Sequence, residues 1–365
     1  MLVRSDRRHS LAEISAKVHA GERLGYEDGV ALFKEQNLHA VGRLANHVRE
    51  QKNGNDAYFI FNRHLNPTNI CVLTCSFCAF AKRPGEAGGY RMSLDQIRAK
   101  VRDEFAPDVQ EIHIVGGLDP KLPYQYHLDV LRVVKEERPH VHVKAYTMIE
   151  IEWLKRIGKK TVHEVLDDLK QAGLDSCPGG GAEVLSARVH AEIFPDKLDA
   201  RQWIEMARTV HRAGIRSNAT MLYGHIETIE ELVEHLLLVR ELQDETQGFL
   251  TFIPLAFHPQ HTALAHLPGP SAQLDLRVIA VARLMLDNFD HVKTYWIMQS
   301  LPLSQVALWY GADDIDGTVI EEKITHDAGA TTPQGVTRDQ LIALIREAGR
   351  APVERDTLYT RLKRY

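Results

Sequence analysis

Four cysteines in 365 residues are too few to staple a fold of this size, and three of them crowd into eight positions, Cys71, Cys75 and Cys78. A disulfide framework is thereby excluded. Long apolar runs are also missing. The N-terminal "MLVRSDRRHSLAEISAKV" has no apolar h-region, and "VIAVARLMLDNF", among the more apolar stretches, is interrupted by Arg283 and Asp287. The expectation is a cytoplasmic protein with no membrane span. There is no basic excess either: 44 Lys and Arg face 49 Asp and Glu, for a formal charge of -5. Nucleic-acid binding needs a basic face, so a small-molecule partner is expected instead. No Gly/Ser or Pro-rich linker interrupts the chain, and neither G-x-S-x-G, P-loop nor H-E-x-x-H occurs, which removes the common hydrolase, nucleotide-phosphate and zinc-protease readings.

What is present is an ordinary globular composition, 44% hydrophobic and 25% charged, with a regular alternation of elements. Helical segments come first: "SLAEISAKV" opens with the capping pair Ser10 and Glu13, and "YEDGVALF" and "LHAVGRLANHVREQ" keep an amphipathic period. Strands are then expected at "FNRHLNPTNI", "VQEIHIVGG", "HVHVKAYT", "GLDSC", "RSNATMLYG", "FLTFIPLAF", "HVKTYWIM" and "DIDGTVI". Helices such as "SLDQIRAKVRDEF" and "TIEELVEHLLLVREL" fall between them. Eight such units predict a (β/α)8 TIM-like barrel, with a doubly wound open sheet as the alternative; one barrel of roughly 250 residues plus extensions fits the length. The expected division is an N-terminal helical segment over 1–57, the barrel over 58–322, and a C-terminal helical extension over 323–365 packing on it. In that extension "TRDQLIALIREAG" is a helix capped by Thr337 and Gln340 and stopped by Gly349.

Barrel chemistry gathers where strands end and loops begin. The cysteine loop follows the first strand, "GGLDP" the second, "TMIE" the third, "PGGGAE" the fourth, "YGHIE" the fifth, "AFHPQH" the sixth and "MQSLP" the seventh. The polar and glycine-rich pieces therefore converge on one rim. C-x3-C-x2-C offers three thiolates, whereas structural zinc takes four ligands. Cys177, between Ser176 and Pro178 with no ligand pair around it, is expected to be a small buried hydrophobe. A 4Fe-4S cluster accepts three cysteines, each on its own iron, and leaves the fourth iron open to an exogenous ligand. Three thiolates thus point away from both a zinc-stabilised module and a closed electron-carrier cluster.

The spacing resembles that of the radical S-adenosylmethionine superfamily. The resemblance implies that the open iron chelates S-adenosylmethionine, which a reduced cluster cleaves to methionine and a 5'-deoxyadenosyl radical. It further implies that Phe77 packs near the adenine and that Gly116 and Gly117 hold the methionine amino group through their backbone. Leu118 stands where many members have Glu, which removes any carboxylate role there. "HLNPTNICVLTCSFCAF", "HIVGGLDPKLP", "AGLDSCPGGGAEV", "RSNATMLYGHIET", "FIPLAFHP", "HVKTYWIM", "VALWYGADDIDGTVIEEKITHDAGA" and "LIREAGRAPVERDTLY" extend it to nearly the whole chain and resemble the aminofutalosine synthases of the futalosine route to menaquinone. The nearest relatives by these segments are the cyclic dehypoxanthine futalosine synthases and the deazaflavin synthases. The implied reaction adds the adenosyl radical to the enol ether of 3-[(1-carboxyvinyl)oxy]benzoate. The aryl group then migrates and carboxylate leaves as bicarbonate, giving aminodeoxyfutalosine. S-adenosylmethionine is then a co-substrate, and an electron donor such as flavodoxin or ferredoxin is implied.

A dicarboxylate substrate needs cationic or N–H donors, and a radical needs a pocket free of water. Candidates for substrate binding are His64, Asn66, Asn69, Asn218 and His225. Regular alternation puts only one of Asn66 and Asn69 on the inner face, and Pro67 favours a bulge that leaves the choice open. "PGGGAE" can form a nest of backbone N–H groups, with Glu183 accepting from the ribose hydroxyls of S-adenosylmethionine. Glu150, Thr220, Tyr223 and Glu227 lie at other strand ends. His258, in the loop that also carries His261 and His266, is a candidate for catalysis through substrate carboxylate recognition. His326 is a candidate for proton transfer near neutrality. "ITHDAGA" and "ERDTLY" are expected to close over the barrel mouth, and of Tyr295 and Trp296 only one enters the barrel.

Overall fold

The structure, a computed structural model, describes residues 9–365; the first eight positions of the N-terminal stretch read above for an export signal lie outside the described residues. Ser10 and Glu13 form the expected reciprocal cap on the helix Leu11–His19, and the helices Tyr26–Lys34 and Leu38–Asn53 follow. Arg49 from the last of these donates to the carbonyls of Gly54, Asp56 and Ala312, so a fully buried guanidinium ties the helical segment to the barrel's N-terminal end.

The strands are β1 (Asp56–Ile60), β2 (Asn62–Leu65), β3 (Glu111–Ile114), β4 (His142–Ala145), β5 (Ser176–Cys177), β6 (Arg216–Tyr223), β7 (Phe249–Ala256), β8 (Asp314–Gly317), β9 (Ala351–Arg355) and β10 (Arg361–Arg364). Strands β2 to β7 form one parallel sheet in chain order, while β1 lies between β8 and β9 in a second sheet. Because β1 and β2 are one strand broken only at Phe61, and Val292 and Lys293 bridge β7 to β8, the two sheets share a closed ring. The seventh strand is thus reduced to two bridging residues. "YWIM" is instead the start of a short helix, Trp296–Gln299.

Alternation decides the packing. On β3, Ile112 and Ile114 face the helices; on β4, Val143 and Ala145 do the same; all four are fully buried in the main core. Each large aliphatic side chain removed from water there contributes about 1.5–3 kcal/mol. Cys177 is fully buried in the same core, in keeping with its reading as a small hydrophobe.

Five helices escaped the pattern: Met148–Gly158, Ala187–Ile193, Trp296–Gln299, Leu301–Ala307 and Ile324–Asp327. The first begins at "TMIE" itself: Thr147 caps it and Glu150 reciprocates, so what reads as a rim loop is a helix N-terminus. The C-terminal helix Arg338–Glu347 has its expected cap, Thr337 with Gln340. Beyond it, β9 and β10 add two strands that the sequence pattern did not reveal. β9 pairs with β1 and β10 with β9, while Arg355 from β9 pairs with Asp314 at 2.5 Å. Among the described residues no helix is long and apolar enough to cross a membrane.

Candidate active site

The loop after β2 is pinned from several sides. Its Cys71 N–H donates to Lys82 O, Val72 N–H to Leu118 O and Ser76 N–H to Ile193 O. Arg83 donates to the Val72 and Leu73 carbonyls. These bonds hold Cys71, Cys75 and Cys78 as free thiols along one wall of a cavity of about 340 Å³ at the C-terminal end of the barrel. Burial pushes the Cys75 thiol up to about 12 and raises that of Cys78, outweighing the pull of the nearby Lys197 ammonium on both. Among the described residues no three ligating side chains converge as around a single metal ion. Three thiols spaced along one loop fit instead a cluster in which each thiolate holds its own iron.

Gly116 and Gly117 face the thiols because the cysteine loop passes too close for any side chain. A Cβ on Gly117 would stand 2.2 Å from Ile70 O. The Gly116 N–H donates to Glu150 Oε1 at 3.1 Å, and Glu150 Oε2 accepts from the N–H and hydroxyl of Thr147. Burial lifts the Glu150 carboxyl to about 7, the bonds from Thr147 and Gly116 holding it there rather than higher. The "PGGGAE" turn is equally close-fitting: Gly181 adopts φ +94°, and a Cβ on Gly179 would lie 2.5 Å from Asn218 O. It delivers Glu183 to the wall, where its carboxylate meets Lys197 at 2.5 Å. The Lys197 ammonium sits 4.9 Å from the Phe77 ring centre. Sequence reasoning missed Lys197, since nothing local marks a loop lysine as buried.

Deeper in the barrel the wall becomes ionic. Lys144 pairs with Glu111 at 2.6 Å and Lys293 with Asp316 at 2.5 Å, all four side chains being buried. The His64 and His113 rings lie against each other beside them, tilted by 44° with ring centres 4.8 Å apart. Burial opposes charge on Glu111, but Lys144 outweighs it and holds the carboxyl well below the usual range. Burial also pushes His113 down to about 3 and lowers His64, so both rings are neutral at pH 7. Of these six, only His64 was foreseen. The signal was available in the alternation of "EIHI" and "HVKA", whose polar members share one face.

Other expectations fare unevenly. His258 lines the cavity, with Nε2 2.9 Å from Met298 O. Asn218 and Thr220 do so too, and the Asn218 Oδ1 has no partner. Asn66 and Asn69 lie outside the lining: Asn66 donates to Val115 O, and Asn69 bonds Gly88 O and the Tyr90 N–H, bracing the cysteine loop. His225 turns into its own loop, against Glu227 and Leu222 O, and Tyr223 is taken up by Asp275 and Gln299. "ITHDAGA" does contribute Ile324, Thr325 and Ala328 to the roof, but His326 stands behind it. Its two ring nitrogens face the carbonyls of Glu322 and Thr332, and Glu322 raises it to about 9, so it is a fixed cation rather than a proton shuttle near neutrality. "ERDTLY" runs to the opposite end of the barrel, where Thr357 donates to Glu111 and Tyr359 stacks on His291. Tyr295 is the residue that enters the barrel; Trp296 is buried in a second core with its indole N–H on Gly317 O.

Two family models cover this architecture: the radical SAM superfamily over residues 65–239 and the CofH/MqnC C-terminal region over 246–364. The aminodeoxyfutalosine synthase of Thermus thermophilus is 48% identical across 97% of this chain and 96% of its own, and that of Streptomyces coelicolor is 41% identical across 97% and 94%. A 5-amino-6-(D-ribitylamino)uracil–L-tyrosine 4-hydroxyphenyl transferase of Methanococcoides burtonii is 36% identical across 92% and 95%. In fold, the chain matches the hydrogenase maturase HydG of Carboxydothermus hydrogenoformans (TM-score 0.72, 17% identity, 96% of this chain and 80% of that one). It also matches methylornithine synthase (TM-score 0.68, 16% identity, 92% and 95%). A three-thiol loop over a glycine-lined barrel mouth and this likeness along nearly the full length lead to one conclusion: the chain belongs to the radical SAM superfamily, in the family of the aminodeoxyfutalosine synthases.

Proposed function

We propose that this chain joins the adenosyl group of S-adenosylmethionine to 3-[(1-carboxyvinyl)oxy]benzoate, with aryl migration and loss of bicarbonate, to give 6-amino-6-deoxyfutalosine and methionine. The observation that carries the reading is the sharing of one cavity by Cys71, Cys75 and Cys78, two glycine turns and a buried ionic wall. When bound, the 4Fe-4S cluster and S-adenosylmethionine supply a 5'-deoxyadenosyl radical at this mouth.

The chain's own residues do the rest. Cys71, Cys75 and Cys78 hold the cluster; Gly116 and Gly117 leave room for the methionine end, and Phe77, fixed beneath Lys197, offers a face to the adenine. Glu183 keeps one carboxylate oxygen for a ribose hydroxyl while Lys197 occupies the other. Leu118 contributes no charge, and Glu150 instead presents a carboxyl behind Gly116. His64 and Asn218 lie deeper, placed to meet the aromatic substrate, and His258 meets it from the roof. The roof residues Ile324 and Ala328 exclude water from the radical's path. In this division of labour the described residues of the N-terminal segment, 9–57, brace the barrel, 58–322 form it and 323–365 close it. A cytoplasmic setting keeps the thiols reduced, and a flavodoxin or ferredoxin supplies the electron.

The test is anaerobic reconstitution followed by reaction with reductant, S-adenosylmethionine and the carboxyvinyloxybenzoate. An adduct carrying the adenosine is expected; release of free 5'-deoxyadenosine without it would overturn the assignment.

A further inference from the structure

The ionic wall is an unusual thing to build inside a barrel, where bulky aliphatic side chains normally fill the layers. Strand register puts His64, His113 and Lys144 in adjacent positions on β2, β3 and β4, so they form one layer. Each ammonium carries three N–H donors, and Lys144 and Lys293 spend one apiece, on Glu111 and Asp316. Among the described residues the His64 and His113 rings make no hydrogen bond at all, only their mutual contact. Unspent donors facing a cavity at such depth are costly unless a ligand completes them.

Resting on the function proposed above, we infer that this layer is the receptor for the benzoate carboxylate of the substrate, bound by Lys144, Lys293 and the His64–His113 pair with uptake of one proton by that pair. Three arguments converge. The benzoate carboxylate is the one retained in the product, so tight ionic capture does not oppose turnover; the carboxylate on the vinyl carbon must depart and lies beside the reacting double bond, toward the cluster. Val115, Ile253 and Leu255 line the cavity above the layer and suit an aryl ring. Charge balance requires the proton. Lys144 and Lys293 are already matched by Glu111 and Asp316, and Glu322, which also faces His64, is matched by the His326 cation. An added carboxylate is therefore uncompensated until an imidazole takes a proton from solvent.

Holoenzyme without reductant, titrated calorimetrically at pH 7.5 with the carboxyvinyloxybenzoate in two buffers of different ionisation enthalpy, is expected to take up about one proton per ligand bound. 2-Phenoxyacrylate, which lacks the benzoate carboxylate, should bind on the order of 100-fold more weakly and take up none. His113→Gln should lose proton uptake and weaken the substrate while leaving 2-phenoxyacrylate unchanged. Equal affinity for the two ligands, or no proton uptake by the unmodified enzyme, overturns the receptor. Failure to form the adenosine adduct with this binding pattern intact would count instead against the proposed reaction.

Discussion

The two faces of the same strands tell opposite stories. On β3 and β4 the outward residues Ile112, Ile114, Val143 and Ala145 join helices in a core that is apolar throughout, while the inward Glu111 and Lys144 form a buried ion pair beside the neutral His113 ring. The outer face gains from every atom removed from water and tolerates approximate shape. The inner face gains little from burial, because desolvating each charge costs several kcal/mol before its partner repays it. One face holds the fold together, and the other carries what a substrate is to meet.

The comparison breaks most sharply at the mouth. Cys75→Ala is expected to abolish turnover and most of the cluster's visible absorption in reconstituted protein, while Cys177→Ser keeps both; cluster loss in the latter would place Cys177 among the ligands. Next is the inner layer: Lys144→Met leaves Glu111 buried without its cation and should cost about 3–5 kcal/mol in denaturant unfolding, much of it recovered by adding Glu111→Gln. On the outer face Ile114→Ala should cost about 2–5 kcal/mol by the same measurement, yet leave kcat per folded molecule unchanged.

A pH series sharpens the contrast further. The Glu150 carboxyl is raised by burial from its ordinary value near 4.5 to about 7. Its contribution to stability is present in full below about pH 4.5 and is lost as pH rises through about 7, a change on the order of 3 kcal/mol. Glu150→Gln keeps an acceptor for Gly116 and should flatten unfolding free energy between pH 5 and 8; an unchanged slope would mean that another group titrates there. The smallest effect is expected at Cys177, where a buried hydroxyl without an assured partner lowers stability by about 1–3 kcal/mol in Cys177→Ser with cluster content intact.

Legibility followed the range of the interactions. The cysteine loop was readable because its chemistry lies within one short segment, and the strand-helix units other than the seventh because their periodicity is local, whereas the seventh strand shrinks to bridges at Val292 and Lys293. Thr147 and Glu150 carried a readable capping pair, yet the helix they open was passed over because it follows its strand without a loop. β9 was missed because its pairing with β1 is made across nearly the whole chain, and β10 because it pairs only with β9. Asn69 and His225 are polar residues at strand ends whose side chains turn into their own loops, and Asn66 turns to the Val115 carbonyl of the neighbouring strand end, a choice of rotamer and partner that no pattern announces. Lys197, Lys144 and Lys293 look like ordinary surface lysines until their partners are known.

By itself, then, the sequence determined the three-thiolate loop, the glycine turns at the strand ends and the alternation that makes a barrel, since spacing and period are set by covalent geometry. Tertiary structure alone decided which charges meet: Glu183 with Lys197, Glu111 with Lys144, and the paired rings of His64 and His113. A buried charge is stable only beside a particular partner, and ring closure is what brings those partners within reach.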